Sequence, residues 1–381
     1  VTHHDTIPAT PVAAMRADRG EGPLLLFAPS VLQATARRFL DGFDGLVTYA
    51  VKANDAEEVI TNLAGAGIRA FDVASPAEMT LVRRLVPGAA LHYNNPVRSI
   101  REIEAAMAAG VVSWAVDSPG EFVKIAARVP SRGTEVAVRV KLPVAGAAYD
   151  FGEKFGATPQ EATELLRAVA AAGFTPAITF HPGTQCPDAT AWAAYIRAAA
   201  RIAQEAGVRL ARLNVGGGFP ARRMDADLPA LEAIFDTIAA TTRAAFGADA
   251  PGLVCEPGRA MVAECEALLT RVKAVRESGA VFLDDGIYGA LAEAPLMGAT
   301  DRIRVLAPDG RARCGAPEPR VVFGPSCDSL DRLPGTPHLP GDIAEGDAVL
   351  FFGMGAYGQV TCTRFNGYGA LRRQTVRALT M

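Results

Sequence analysis

Eight short β-rich runs, alternating with Ala-rich stretches of helical period, occupy residues 46–255 of this 381-residue chain. The runs are Leu46–Val51, Arg69–Val73, Ala90–Tyr93, Val112–Val116, Glu135–Val140, Ala177–Phe180, Arg212–Val215 and Leu253–Cys255. The stretches between them are amphipathic, as in Ser99–Ala109 and Thr158–Ala172, with Gly110 and Gly173 placed as helix stops. Strands separated by helices must pair in parallel, because a parallel connection needs a crossover. Eight such units are the count of a (β/α)8 TIM barrel. An open doubly wound sheet is the rival, but its Gly-rich loop follows the first strand. Here the triple glycine, Gly216–Gly218, follows the seventh.

Past residue 265 the helical period fades, and Gly, Pro and Asp punctuate short β-runs at Ala280–Leu283, Arg302–Val305, Arg320–Phe323, Ala348–Phe352 and Gln359–Phe365. This texture predicts a C-terminal antiparallel β-domain. Leu24–Phe27 has no place in the barrel and is expected to join that domain. The expected division is therefore a barrel over 28–265 and a β-domain built from 1–27 and 266–381.

Composition narrows the function classes. With 38 basic and 41 acidic residues the net charge is −3, so no electrostatic drive toward nucleic acid or an anionic membrane is expected. Apolar residues at 50% and charged residues at 21% describe an ordinary globular protein. Apolar runs such as Gly22–Ala28 fall far short of the ~20 residues that span a bilayer. Nothing at the N-terminus reads as a signal peptide. Cys186, Cys255, Cys265, Cys314, Cys327 and Cys362 are scattered without a C-x-x-C pair, which fits reduced thiols and no metal site. The expectation is a cytoplasmic enzyme.

In such a barrel the active site lies at the C-terminal ends of the strands. The first strand ends in Tyr49-Ala50-Val51-Lys52-Ala53-Asn54, the second in Phe71-Asp72-Val73-Ala74-Ser75, and the fifth carries Arg139. The sixth ends in His181-Pro182-Gly183-Thr184-Gln185, the seventh in Asn214-Val215-Gly216-Gly217-Gly218-Phe219-Pro220, and the eighth in Glu256-Pro257-Gly258-Arg259. A lysine just past an apolar strand is expected to be desolvated, which lowers its pKa and suits an imine; it also suits a lysine snorkelling to solvent. Three glycines let backbone N–H groups approach a phosphate, and Arg259 adds a fixed positive charge. Glu256 can pair with a protonated ring nitrogen, and His181 offers a flat face. An aldehyde, a phosphate and a basic aromatic ring together describe pyridoxal 5′-phosphate (PLP).

At these residues the sequence resembles the fold-type III PLP-dependent decarboxylases, the group of ornithine, diaminopimelate and biosynthetic arginine decarboxylases. Tyr-Ala-Val-Lys-Ala-Asn at 49–54 looks like the cofactor-lysine motif, and Phe-Asp-Val-Ala-Ser at 71–75 with Glu78 like the second-strand motif. Gly-Gly-Gly-Phe-Pro at 216–220 and Glu-Pro-Gly-Arg at 256–259 resemble the phosphate and pyridine motifs. Gly324-Pro325-Ser326-Cys327-Asp328-Ser329-Leu330-Asp331 resembles the catalytic-cysteine motif, and Met354-Gly355-Ala356-Tyr357 with Phe365-Asn366-Gly367 the C-terminal signature. The resemblance implies that Lys52 carries the cofactor, Glu256 holds the pyridine nitrogen and His181 stacks on the ring. It implies phosphate binding by Thr184, Gly216, Gly217, Gly218, Gly258, Arg259 and Tyr357, with Asp72, Glu78 and Arg139 as charged neighbours. Cys327 would return a proton to Cα. The Cys-Asp loop of the family reaches into the partner's site, so a homodimer with shared active sites is implied.

Two departures from the family pattern stand out, and the second bears on the substrate. Pro182 and Thr184 stand where the family commonly has Val and Ser, and the hydroxyl is kept. In the stretch after Asp285-Gly286-Ile287-Tyr288-Gly289, Met297 falls near the place where ornithine decarboxylases carry an acid for the substrate's distal ammonium. Glu293 or Asp301 could substitute, or both are solvated charges. Asp328, the other anchor, is present, and Tyr288, Met297 and Tyr357 complete the expected substrate set. Ornithine- or lysine-type diamino acids are the expected substrates, in polyamine biosynthesis, with an uncommon amino acid of specialised metabolism as the alternative. Racemases of this architecture put an arginine at the pyridine nitrogen, so Glu256 and Cys327 point away from racemisation.

Overall fold

The computed structural model of the chain describes residues 7–143, 154–224 and 229–380. Two compact units emerge: Ala36–Pro220 with Leu228–Met261, and Val1–Thr35 with Ala221–Asp227 and Val262–Met381.

The first unit is a closed barrel of eight parallel strands: Gly45–Ala50, Ala70–Asp72, Ala90–Tyr93, Val111–Val116, Glu135–Val140, Thr175–Phe180, Arg212–Asn214 and Gly252–Cys255. The first and last strands pair from Gly45–Leu253 to Val47–Cys255, and this pairing closes the ring. A Cβ at Gly45 would collide with the Leu253 carbonyl, so the seam requires glycine. Polar starts set the helices. Ser99 accepts the Glu102 N–H while the Glu102 carboxylate takes the Ser99 N–H at 2.7 Å, and Thr158 with Glu161 repeats the device. Gly110 and Gly173 follow those helices with φ of 72° and 80°, as a left-handed stop requires.

The loop after the seventh strand is pinned by aromatics. In the helix Thr190–Ala206, Trp192 donates its indole N–H to the Val215 carbonyl at 3.2 Å and stacks on Phe219 with centroids 5.2 Å apart. Phe219 also meets Phe39 and Phe235 edge-on. The three glycines thus hang between anchored residues.

The second unit is built around Glu266–Val275, a ten-residue strand that sequence texture did not announce. It pairs antiparallel with Leu24–Phe27, Ala348–Phe352 and Val281–Leu283. Leu24–Phe27 therefore does join the β-unit, and its alternation serves two cores: Leu25 faces one cluster with Leu268, while Leu24 and Leu26 face another with Leu269. Two pairings are parallel, Leu24–Phe27 with Arg372–Thr375 and Val281–Leu283 with Val322–Phe323. Gln359–Phe365 is not a strand. Short 3₁₀ turns occupy Gln359–Thr361 and Phe365–Gly367, the first closed by the Cys362 N–H on the Gln359 carbonyl, and the flanking Tyr357 and Asn366 have φ of 55° and 51°. Among the described residues, no helix is long and apolar enough to cross a membrane, and no cluster of His, Cys, Asp or Glu could hold a metal ion.

Leu268 is fully buried in the central strand. Leu268→Ala should lower the unfolding free energy of this unit by about 2–5 kcal/mol, read as a fall in the urea midpoint. An unchanged midpoint would show that the strand is not the centre of the core.

Candidate active site

The strand ends of the barrel gather the charged residues that the sequence singled out. The first strand stops at Ala50, and Val51–Ala53 form one 3₁₀ turn that carries Lys52 over the rim. Lys52 is exposed rather than desolvated, because this turn lifts it off the apolar strand. Its neighbours supply opposite charge. Asp72, at the end of the second strand, is 5% exposed; burial pushes its pKa up, with Lys52, the Asn94 N–H and Arg139 pulling the other way. Burial pushes Glu78 up to about 7, although it accepts the Ala74 N–H at 2.7 Å.

On the sixth and seventh strands, His181 accepts the Gly183 N–H on Nδ1 at 3.1 Å, which leaves the proton of the neutral ring on Nε2. Desolvation first, then Lys52 and Arg139, hold His181 well below the ordinary histidine range, so the ring is neutral. Desolvation likewise lowers Arg139. Gly216 and Gly218 have φ of 68° and 85°, and a Cβ at either would collide with the Phe180 or Gly183 carbonyl. A Cβ at Gly217 would lie 2.8 Å from the Glu256 carbonyl and 3.2 Å from His181 Nε2, so only glycine fits this cradle. Thr184 lies in the loop after the sixth strand, and Gly258 and the buried Arg259 open the short helix after the eighth.

Glu256 is the most constrained acid. Desolvation pushes it up to about 8; Asp72 adds to the rise, and Lys52, Asn214 and Arg139 oppose it. Asn94 and Asn214 both donate side-chain N–H groups to its Oε1. Sequence reading quoted Asn214 at the seventh strand end without giving it a role, and passed over Asn94. The available signal was their place at strand ends three and seven, beside the motifs already chosen.

The β-unit gathers the remaining candidates. Tyr288 donates its hydroxyl to Asp328 Oδ2 at 2.6 Å, and Asp328 Oδ1 accepts the Leu330 N–H at 2.9 Å. The Tyr288 bond, then the Leu330 bond, hold Asp328 below the ordinary aspartate range. Cys327 is exposed, and its N–H is held by Asn366 Oδ1 at 3.1 Å. Asp331 ties both loops together by accepting the Ile287 and Ser326 N–H groups, each at 3.0 Å. Met297 ends the single turn Ala294–Met297. Glu293 pairs with Arg223 at 3.7 Å, and Arg223 also donates to the Gly298 carbonyl at 2.7 Å. Tyr357 sits in the left-handed region, in the loop after Ala348–Phe352.

The barrel rim has an amine for an aldehyde, a carboxylate for a cationic ring nitrogen, a neutral flat imidazole and a glycine cradle beside an arginine. This set fits PLP on the chemistry of its donors, and it defines a PLP enzyme of the barrel type. The pyridoxal-binding domain of the pyridoxal-dependent decarboxylases matches residues 30–263. The chain belongs to the pyridoxal-dependent decarboxylase family, and PLP is its cofactor. It is 35% identical to the lysine/ornithine decarboxylase of Selenomonas ruminantium over 337 residues, covering 84% of this chain and 81% of that one. It is 28% identical to the ornithine decarboxylase of Mus musculus over 348 residues, covering 84% and 73%. Among solved structures, lysine decarboxylase from Selenomonas ruminantium superposes with a TM-score of 0.81 at 31% identity, covering 95% and 93% of the two chains. The arginine decarboxylase of Paramecium bursaria Chlorella virus shares the fold, with a TM-score of 0.85 at 24% identity over 95% and 98%.

The raised pKa of Glu256 has a measurable consequence in the cofactor-free chain. Folded, the group keeps its proton to about pH 8; unfolded, it ionises near 4.5. Its contribution to stability is full below about pH 4.5 and is lost as pH rises toward 8. Glu256→Gln removes this titration. The melting temperature of the cofactor-free variant should gain on wild type from pH 4.5 to 8 and then run parallel. A gap independent of pH would contradict the burial of this acid.

Proposed function

We propose that this chain is an α-decarboxylase of diamino acids of the ornithine and lysine type, releasing carbon dioxide and a diamine. The observation that carries the reading is the Tyr288–Asp328 pair, a carboxylate held ionised next to Cys327, in a chain 35% identical to a lysine/ornithine decarboxylase. An ionised acid held in place is what selects a distal ammonium.

Bound PLP supplies an electron sink for the pair released when the Cα–carboxylate bond breaks. In this reading the Lys52 amine holds its aldehyde, and the Glu256 carboxylate keeps its ring nitrogen protonated. Neutral His181 stacks without adding a competing charge. The Gly216–Gly218 amides, Thr184, Gly258, Arg259 and Tyr357 take the phosphate. Asp72, Glu78 and Arg139 balance charge around the amine. Cys327 Sγ delivers a proton to Cα, and Asp328 with Tyr288 holds the substrate's distal ammonium. The Cys327–Asp328 loop acts in the partner's site of a cytoplasmic homodimer.

A second reading, decarboxylation of an uncommon amino acid, is favoured by one feature. Met297 stands in place of the second acid, and Glu293 is engaged with Arg223.

Substrate choice separates the two readings. Asp328→Asn should cut kcat/KM for ornithine by about ten- to several-hundredfold and leave cofactor absorbance unchanged. The measurement is the kcat/KM ratio of ornithine to norvaline, which lacks the distal amine. A wild-type ratio that does not favour ornithine sinks the diamine reading.

Shared sites predict complementation. Inactive Lys52→Ala mixed with inactive Cys327→Ala should regain about a quarter of wild-type activity if subunits assort randomly into dimers. A mixture that stays inactive after proven subunit exchange rules out action across the interface.

A further inference from the structure

The carboxylate of Glu256 is gripped from one side only. Asn94, just past the third strand, donates Nδ2 to Glu256 Oε1 at 2.5 Å. Asn214, the last residue of the seventh strand, donates Nδ2 to the same oxygen. Both asparagines are buried, at 6% and 5% exposure. The orientation of the Asn214 amide follows from a third bond: its Oδ1 accepts the Gly216 N–H at 3.0 Å, so Nδ2 is the end that faces Glu256. The Glu256 N–H in turn donates to the Gly216 carbonyl at 2.8 Å. Asn214, Gly216 and Glu256 thereby close a ring of three hydrogen bonds, which links the pyridine acid to the first glycine of the phosphate cradle. The backbone N–H of Asn94 also reaches Asp72 Oδ1 at 3.4 Å.

Two donors on Oε1 stabilise the ionised carboxylate against burial and against Asp72. Neither bond occupies Oε2. We propose that Asn94 and Asn214 are positioning residues that favour the ionised form of Glu256 and aim its Oε2 at the pyridine nitrogen of PLP, with Asn214 also setting the register between that acid and the phosphate loop. The proposal rests on the assignment of Glu256 to the ring nitrogen.

The test compares equilibrium binding of PLP and 1-deaza-PLP, whose ring nitrogen is replaced by a C–H group, to the cofactor-free full-length chain. Wild type should prefer PLP. Asn94→Leu and Asn214→Asp should each reduce that preference about tenfold, the size of one charged hydrogen bond. Asn214→Asp keeps an acceptor for the Gly216 N–H, so its affinity for 1-deaza-PLP should stay within about twofold of wild type. Asn214→Ala loses both arms, so its affinity for 1-deaza-PLP should fall as well. Folding is checked by circular dichroism; if Asn214→Asp does not fold, Asn94→Leu and Asn94→Ala decide. Folded variants that keep the wild-type preference overturn the proposal. A wild type without preference overturns the assignment of Glu256 itself, and the two failures are thereby distinguished.

Discussion

Much of the barrel rim turns on the Glu256 carboxylate, which desolvation and the neighbouring Asp72 both push toward its protonated form. An isolated buried carboxylate is driven to take a proton, and burial does push this one up to about 8. Two strand ends oppose that with hydrogen-bond donors, Asn94 past the third and Asn214 on the seventh, while Asp72 on the second adds to the push. Only a closed parallel ring brings residues so distant in sequence to one rim. The amides supply donors and Lys52 and Arg139 supply positive charge. In the proposed assignment a protonated pyridine ring would add a countercharge at the acid itself, which would link cofactor binding to the ionisation of Glu256.

The glycine loop is solved by shape. Gly216–Gly218 pack against the Phe180, Gly183 and Glu256 carbonyls at separations that exclude any Cβ. Such a loop has no side chains with which to hold itself. Its rigidity comes from outside, from Trp192 on the Val215 carbonyl and from Phe219 in its aromatic nest. Ordering a glycine-rich segment costs more backbone entropy than ordering any other, and that cost falls on folding rather than on cofactor binding when the loop is already pinned.

The barrel was legible because its signals are local and repeated: a strand run, a capping residue such as Ser99 or Thr158, a glycine stop such as Gly110 or Gly173. The residues at strand ends were legible because the topology selects those positions. The central β-strand Glu266–Val275 was not, since its burial is set by partners at Leu24–Phe27 and Ala348–Phe352 far along the chain. Gln359–Phe365 read as a strand on composition, yet local turn hydrogen bonds, from Thr361 to Gly358 and from Cys362 to Gln359, take the place of a ladder. Asn94 and Asn214 were given no role for another reason. An asparagine has many structural uses, and only the three-dimensional meeting with Glu256 distinguishes these two.

The chain separates two demands. Cofactor chemistry needs a rigid constellation, and the barrel provides it with strand ends whose backbones are fixed on both sides by neighbours. The choice of substrate tail, in the proposed assignment, falls to the β-unit loops around Tyr288, Met297 and Asp328. These loops are held by a few discrete contacts: Asp331 on the Ile287 and Ser326 N–H groups, and Arg223 on Glu293 and the Gly298 carbonyl. In the proposed assignment, Met at 297 rather than an acid would change the chemistry that meets the substrate tail, on a turn that stays tied to Glu293 through the Met297 N–H. On this arrangement substrate preference can change while the electron sink, and the pKa balance that sustains it, stays as it is.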